Sequence, residues 1–256
     1  MENREFYWNC DGIDLHMKLD FPDTESDAQG RYPLCILVHG YTGHMEEDHL
    51  LAVRDALLES GTAVLRAELY GHGKSGGEFR DHTILLWVHE LVRIIDYARS
   101  LPFAGRLYLA GHSQGGAASV LAAGLMGDCL AGLLPLAPAL AIRKGAREGQ
   151  LLGCSFDPNH IPELLQMDPE HELRSAYVRV AKHMPFEEAA ASYRGPVMLI
   201  HASDDMTIPL SDSLWLQERY ADARLAVVSG GDHCYVDHLD EVKEAVRKFM
   251  AECPGL

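Results

Sequence analysis

The sequence predicts an α/β fold, a mostly parallel central sheet flanked by helices on both faces and interrupted by one inserted segment. Three observations predict it. From Leu34 onward, short apolar runs alternate with stretches of helical periodicity, the rhythm of parallel strands joined by crossover helices. One apolar run, Leu107-Tyr108-Leu109-Ala110, breaks into Gly111-His112-Ser113-Gln114-Gly115-Gly116 and then into a small-residue helical pattern. The rhythm lapses between Pro138 and Arg194 and then resumes.

Taken in order, residues 6–19 alternate weakly about Gly12 and read as an antiparallel hairpin at the sheet edge, and residues 23–31 form a polar loop. Strands are expected near 34–38, 63–67, 106–110, 132–136, 197–200 and 225–228, and helices near 45–60, 84–100, 114–126, 211–220 and 239–253. In 84–100, Ile84, Trp87, Val88, Leu91, Ile94 and Ile95 recur at the spacing of one helical face packed on a sheet. The irregular stretch carries Pro158, Pro162, Pro169 and Pro185, with short helical pieces between them. A structureless loop of that length is unusual in a compact domain. The expected division is a core of residues 1–138 and 195–256 and an inserted cap of residues 139–194 over the functional face.

Composition narrows the function. With 38 acidic against 22 basic residues the formal charge is −16, which disfavours nucleic acid and anionic membranes as partners. No apolar stretch is long enough to span a bilayer, and the first residues lack the apolar region of a secretory signal. The six cysteines are scattered without a Cys-x-x-Cys pair, which fits a reducing cytoplasm. Fourteen histidines raise the question of a metal, but no His-Glu-x-x-His or helical His-x₃-His occurs, so neither metal nor cofactor is expected.

A serine between Gly111 and Gly115 on a strand-to-helix turn resembles the nucleophile elbow of α/β-hydrolases. Ser113 needs a base, and His233, in a loop after the last strand, is the candidate. His39, His112, His201 and His238 compete for the role. An acid lies between serine and histidine in the chain, at Asp204 or Asp205, and this Ser–Asp–His order is the one α/β-hydrolases use. The oxyanion is expected at the backbone N–H of Gln114, at a helix N-terminus, and at that of Tyr41, in a loop that Gly40 and Gly43 free to turn inward.

The chain further resembles the cinnamoyl/feruloyl esterase branch of bacterial α/β-hydrolases. The matching segments are His39-Gly40-Tyr41-Thr42-Gly43, Gly71-His72-Gly73-Lys74-Ser75, the Ser113 elbow, Phe156-Asp157-Pro158-Asn159-His160-Ile161-Pro162, Tyr177-Val178-Arg179-Val180-Ala181 and Asp232-His233-Cys234-Tyr235. The loop Ala202-Ser203-Asp204-Asp205-Met206-Thr207-Ile208-Pro209 is similar to the hydrolase pattern Gly-x-x-Asp-x-x-Val-Pro, which selects Asp205. The resemblance implies a serine carboxylesterase that cleaves hydroxycinnamate esters through an acyl-enzyme, without cofactor. It assigns Ser113, Asp205 and His233 to the triad, Tyr41 and Gln114 to the oxyanion hole, and Tyr177 to the acyl pocket, where the cap aromatics Phe156 and Phe186 are expected to join it. One departure stands out. Relatives carry polar residues facing the phenolic end, where this chain has Gly145 and Leu152. The expected partner is a small-molecule ester, and the sequence leaves room for a homodimer. Competing readings are a short-chain acyl esterase, monoacylglycerol lipase or thioesterase with the same triad, and a non-catalytic ligand receptor on the same scaffold.

Overall fold

The chain opens with an edge hairpin in the computed structural model, which describes residues 2–253. Strands β1 (Arg4–Cys10) and β2 (Ile13–Asp20) pair antiparallel, with Cys10 opposite Ile13. Asp11 and Gly12 between them both have positive φ, 49° and 98°, as a two-residue turn requires to follow the strand twist. Then come β3 (Tyr32–Val38), α1 (Asp48–Glu59), β4 (Ala63–Ala67), α2 (Ile84–Ser100), β5 (Ala104–His112), α3 (Ser113–Met126) and β6 (Gly132–Leu136). Residues 139–194 hold α4 (Ala141–Glu148), the short strands β7 (Gln150–Leu151) and β8 (Cys154–Ser155), a second hairpin of β9 (Leu164–Gln166) and β10 (Glu172–Arg174), α5 (Ser175–Ala181) and α6 (Phe186–Ser192). The alternation resumes with β11 (Val197–Ala202), α7 (Ser211–Gln217), β12 (Ala223–Val228) and α8 (Leu239–Glu252).

The main sheet runs β1-β2-β4-β3-β5-β6-β11-β12, antiparallel at the β1–β2–β4 edge and parallel from β4 onward. The chain leaves β3 for β4 on one side, then returns to place β5 on the other. The loops after β3 and β5 therefore diverge and open a crevice at the carboxyl ends of the strands. Helix α2 shows why the sequence folds this way. Thr83 caps it, its Oγ1 accepting the Leu86 N–H at 3.1 Å, and the apolar positions expected to face the sheet are the buried ones. With α3 it covers one face, where Trp87, Leu91 and Val120 sit in the larger core. Helices α1 and α8 cover the other with Leu50, Val53, Val242 and Phe249.

Helix α1 starts later than its periodicity suggests. Buried Arg66 on β4 donates from Nη1 to the Met45 carbonyl at 3.1 Å and to Glu46 Oε1 at 3.0 Å. These bonds hold the approach to the helix as a loop and fix where the loop after β3 runs.

The segment expected as the insert divides in its packing. A small core of its own, including Ile142, Leu151, Leu165, Leu173, Tyr177 and Val178, holds most of the segment together. Helix α6, by contrast, buries Phe186, Ala189 and Ala190 in the larger core beside α3, and Tyr193 just after it joins them. Gly124 makes this contact close, since a Cβ there would lie 2.6 Å from Ala189 Cα. An alanine in mid-helix ordinarily gains about 1 kcal/mol over glycine, but overpacking against backbone costs about 1–3 kcal/mol. Gly124→Ala is therefore expected to lower stability in urea unfolding. A rise in stability would show that α6 does not pack there.

Candidate active site

Ser113 opens α3 directly after β5 with φ 54°. A left-handed angle costs a non-glycine residue about 1–3 kcal/mol, and it turns the side chain out of the strand line. Two glycines permit the turn. A Cβ on Gly111 would lie 2.5 Å from the Gly115 carbonyl, and one on Gly115 would lie 2.1 Å from the His39 carbonyl.

His233 Nε2 lies 2.9 Å from Ser113 Oγ, and His233 Nδ1 lies 2.6 Å from Asp205 Oδ2. The other Asp205 oxygen accepts the N–H groups of Thr207 at 2.8 Å and Ile208 at 2.9 Å. Burial alone would raise the Asp205 carboxyl. The neighbouring His201 and His233 and the Ile208 N–H outweigh it and hold the group well below the usual carboxylate range. An ionised Asp205 favours the tautomer with the proton on Nδ1, which leaves Nε2 free to accept the Ser113 proton. Asp204 is exposed and, among the described residues, accepts only the adjacent Ser203 hydroxyl, at 2.7 Å.

The competing histidines serve the scaffold. His112 packs beside the His233 ring and donates from Nε2 to the His233 carbonyl at 2.9 Å, with burial pushing its pKa well down. His39 donates to the Gly40 carbonyl at 2.8 Å and accepts the Leu69 N–H at 3.0 Å. His72 donates to the Tyr70 carbonyl at 3.0 Å and accepts the Thr42 N–H at 3.2 Å, so the loop after β3 is held at both ends. His201 lies 2.7 Å from the Ser213 hydroxyl and 3.1 Å from the Ile208 carbonyl, behind Asp205. His238 sits at the start of α8, 3.2 Å from Glu241.

A cavity of about 250 Å³ opens at Ser113. Tyr41 and Gln114 line it, and their backbone N–H groups donate to no group among the described residues. Gln114 sits in the first turn of α3, where helical N–H groups are free by geometry. The apolar lining comes from Ala139, Ile142, Leu152 and Ile208; Glu47 and Cys234 line it as well.

The three aromatic candidates of the insert lie outside this lining. Tyr177 is fully buried in the insert core, and its hydroxyl donates to Gln114 Oε1 at 2.5 Å, so it braces the Gln114 side chain from behind. Phe156 packs half-buried against the same core. Phe186 belongs to the larger core and lies under the Arg143 guanidinium. Aromatic size made these residues conspicuous in the sequence, but large rings also fill cores best. Of the two departures from the family pattern, Leu152 lines the cavity at φ 51°. A Cβ on Gly145 would instead meet the Gln150 carbonyl at 2.3 Å, so that position serves the packing of α4 on β7. Ile142, Ile208 and Glu47 went unread because nothing local separates a pocket aliphatic or a helix-start glutamate from an ordinary one.

Among the described residues, Cys10, Asp11 and His89 offer ligand atoms within 4.8 Å of one another, at the β1–β2 turn. Asp11 is already held there by Arg93, at 3.0 and 3.2 Å. No helix among the described residues is long and apolar enough to cross a membrane.

Residues 31–179 match the family described as Serine aminopeptidase, S33. The structure is similar to that of Est1E from Butyrivibrio proteoclasticus with ferulic acid bound, at 43% identity and a TM-score of 0.93 over 97% of this chain and 98% of that one. Mouse palmitoyl-protein thioesterase ABHD10, a mitochondrial protein, is 24% identical over 219 residues, 80% of this chain and 70% of that one. A structure of the mouse protein gives a TM-score of 0.72 at 18% identity over 96% of each chain, a likeness of fold. So does XC6422 from Xanthomonas campestris, described as an α/β serine hydrolase without a lid, with a TM-score of 0.69 at 16% identity over 100% of this chain and 97% of that one.

Proposed function

Because the chain belongs to the serine aminopeptidase family of α/β-hydrolases, we propose that it is a serine carboxylesterase whose natural acyl group is a hydroxycinnamate. The observation that carries this reading is the contact chain from Asp205 through His233 to Ser113 beside an apolar cavity of about 250 Å³, in a chain 43% identical to a protein that binds ferulic acid.

In this reading Ser113 Oγ attacks the ester carbonyl and passes its proton to His233 Nε2. The oxyanion is held by the N–H groups of Tyr41 and Gln114, donors of a kind worth about 3–4 kcal/mol each. The tetrahedral intermediate collapses, the carbon–alkoxy bond breaks, and the His233 proton goes to the departing alcohol. Water then gives a proton to His233 and its oxygen to the acyl carbon, the acyl carbon–Oγ bond breaks, and His233 returns the proton to Ser113 Oγ as the acid leaves. Residues 139–185 act as the cap and contribute Ala139, Ile142 and Leu152 to the acyl wall. The six thiols, all unpaired, fit a reducing cytoplasm.

A planar conjugated acid loses little conformational freedom in a short cavity, whereas a long alkyl chain loses much. The expected result is a higher kcat/KM for methyl ferulate and methyl p-coumarate than for a palmitoyl ester. The ring hydroxyl should matter little, because Leu152 is apolar and the Tyr177 hydroxyl is committed to Gln114. Methyl cinnamate is therefore expected within about tenfold of methyl ferulate. Steady-state kinetics on the four esters in one buffer decide. A palmitoyl ester that outperforms all three aromatic esters would make the protein a lipid esterase instead.

A further inference from the structure

The carboxyl-terminal half of the core reaches the start of the insert through Asp212. This residue stands in the first turn of α7, and its Oδ2 accepts the Ala141 N–H at 2.6 Å, across 71 residues of chain. Ala141 is the first residue of α4, and Leu140 before it has no side-chain acceptor. A carboxylate from another part of the fold therefore does the work of a local cap, at a helix end that favours negative charge. Burial pushes the Asp212 carboxyl up to about 6, and the N–H groups of Ala141 and Leu140 work against that rise, so the group is ionised at pH 8. The residues on either side of this bond, Ala139 and Ile142, line the catalytic cavity. The Ala139 N–H donates to the Ser113 carbonyl at 3.0 Å. The short run from 139 to 142 is thus held by the nucleophile's own carbonyl at one end and by Asp212 at the other.

Asp212 is tied to the catalytic acid through its neighbour. The Ser213 hydroxyl lies 2.7 Å from His201 Nδ1, and His201 Nε2 lies 3.4 Å from Asp205 Oδ2. The turn of α7 that reaches α4 is therefore fixed against the triad. Behind the contact the fold is open. A cleft of about 520 Å³, lined by Leu140, Ala141, Arg143, Asp212 and Trp215, adjoins it, so close packing does not hold the start of α4 from that side. Further along the helix, Arg143 and Arg147 donate to the carbonyls of Met184 and Lys182, at 3.0 and 2.7 Å, which ties its later part to the chain at the end of α5. Resting on the esterase and cap reading above, we infer that Asp212 is a positioning residue for acyl specificity: its bond to Ala141 fixes the wall of Ala139 and Ile142 relative to Ser113, and so sets how well a large planar acyl group fits. An acyl group too small to reach that wall is indifferent to the bond.

The test compares methyl ferulate with methyl acetate, which share an alcohol and differ in acyl size, in Asp212→Ala and Asp212→Asn at pH 8. The readout is the ratio of the two kcat/KM values on one preparation, which cancels any loss of folded protein. Alanine removes the acceptor. The ferulate-to-acetate ratio is expected to fall about tenfold, the scale on which a hydrophobic pocket responds to a small change of fit, with the acetate value within about twofold of the parent. Asparagine keeps an acceptor of the same reach, and its ratio is expected within about twofold of the parent. Asp212→Ser, still polar but one bond shorter, replaces the alanine variant if that protein does not fold, with the same expected fall. An unchanged ratio in the alanine or serine variant, with both esters slowed alike, overturns the assignment, because Asp212 then supports the fold alone. A fall with asparagine as large as with alanine overturns it too, since the acceptor is still in place. A parent protein that cleaves neither ester refutes the esterase reading and the positioning role with it. A parent that cleaves both, with no change of ratio in the variants, refutes only the positioning role.

Discussion

Ser113→Ala is expected to lower kcat on methyl ferulate by at least about 10⁴-fold, in line with nucleophile removal in other serine hydrolases, while ferulate still binds. The side chain is small and the replacement smaller, so the elbow that Gly111 and Gly115 permit is left without a clash. The Ala139 N–H bond to the residue-113 carbonyl, at 3.0 Å, involves only backbone and survives. Oxyanion donors and apolar wall are untouched. Single-turnover kinetics would show no acyl-enzyme, and equilibrium binding of ferulate would stay within a few-fold of the parent. A variant that turns over at the parent rate would remove Ser113 from the chemistry and with it the esterase reading.

The second large effect separates two adjacent acids. Asp205→Asn is expected to cost about 10⁴-fold in kcat, by analogy with the same change in a serine protease, and Asp204→Asn less than about tenfold. An amide at position 205 can donate to His233 Nδ1, which then becomes the acceptor and leaves the proton on Nε2, facing Ser113. The backbone bonds from Thr207 and Ile208 can still end on the amide oxygen, so the loop is preserved and the loss reports tautomer rather than unfolding. Asp204 is exposed and, among the described residues, bonded only to its neighbour Ser203, so its charge reaches the imidazole through solvent. A larger loss at 204 than at 205 would reverse the assignment.

The contact chain of Ser113, His233 and Asp205 was legible because its signals are local and chemically narrow. A serine flanked by glycines at a strand end, and an acid and a histidine after later strands, leave few alternatives once the strand rhythm is read. Helix α2 was legible for the same reason, since its apolar spacing and its Thr83 cap agree. What escaped was long-range. Nothing near Phe186 tells whether its ring faces a ligand or the flank of α3. That depends on Gly124, far away in sequence, letting two helices approach. Tyr177 reads as an acyl-pocket residue by motif, but the fold spends its hydroxyl on the side chain of Gln114. The start of α1 was misread because Arg66, in another strand, captures the carbonyl of Met45.

The histidines packed around the catalytic loops carry a consequence for life in acid. Burial pushes His39 and His72 down to about 3 and His82 and His49 down to about 4, with His112 also well below its ordinary value. In the unfolded chain each would bind a proton near pH 6.5. Between those limits the unfolded state holds more protons than the native one, so native stability falls as pH drops below about 6.5 and goes on falling until the buried rings themselves protonate. Four of the five rings are bonded or stacked against the loops that carry Tyr41, Ser113 and His233. Proton uptake therefore loads the catalytic face, and the antiparallel hairpin at the sheet edge is spared this part of the load. The same exclusion of water that keeps these imidazoles neutral, and so able to orient the loops as fixed donors and acceptors, also makes them a source of acid sensitivity for the whole fold.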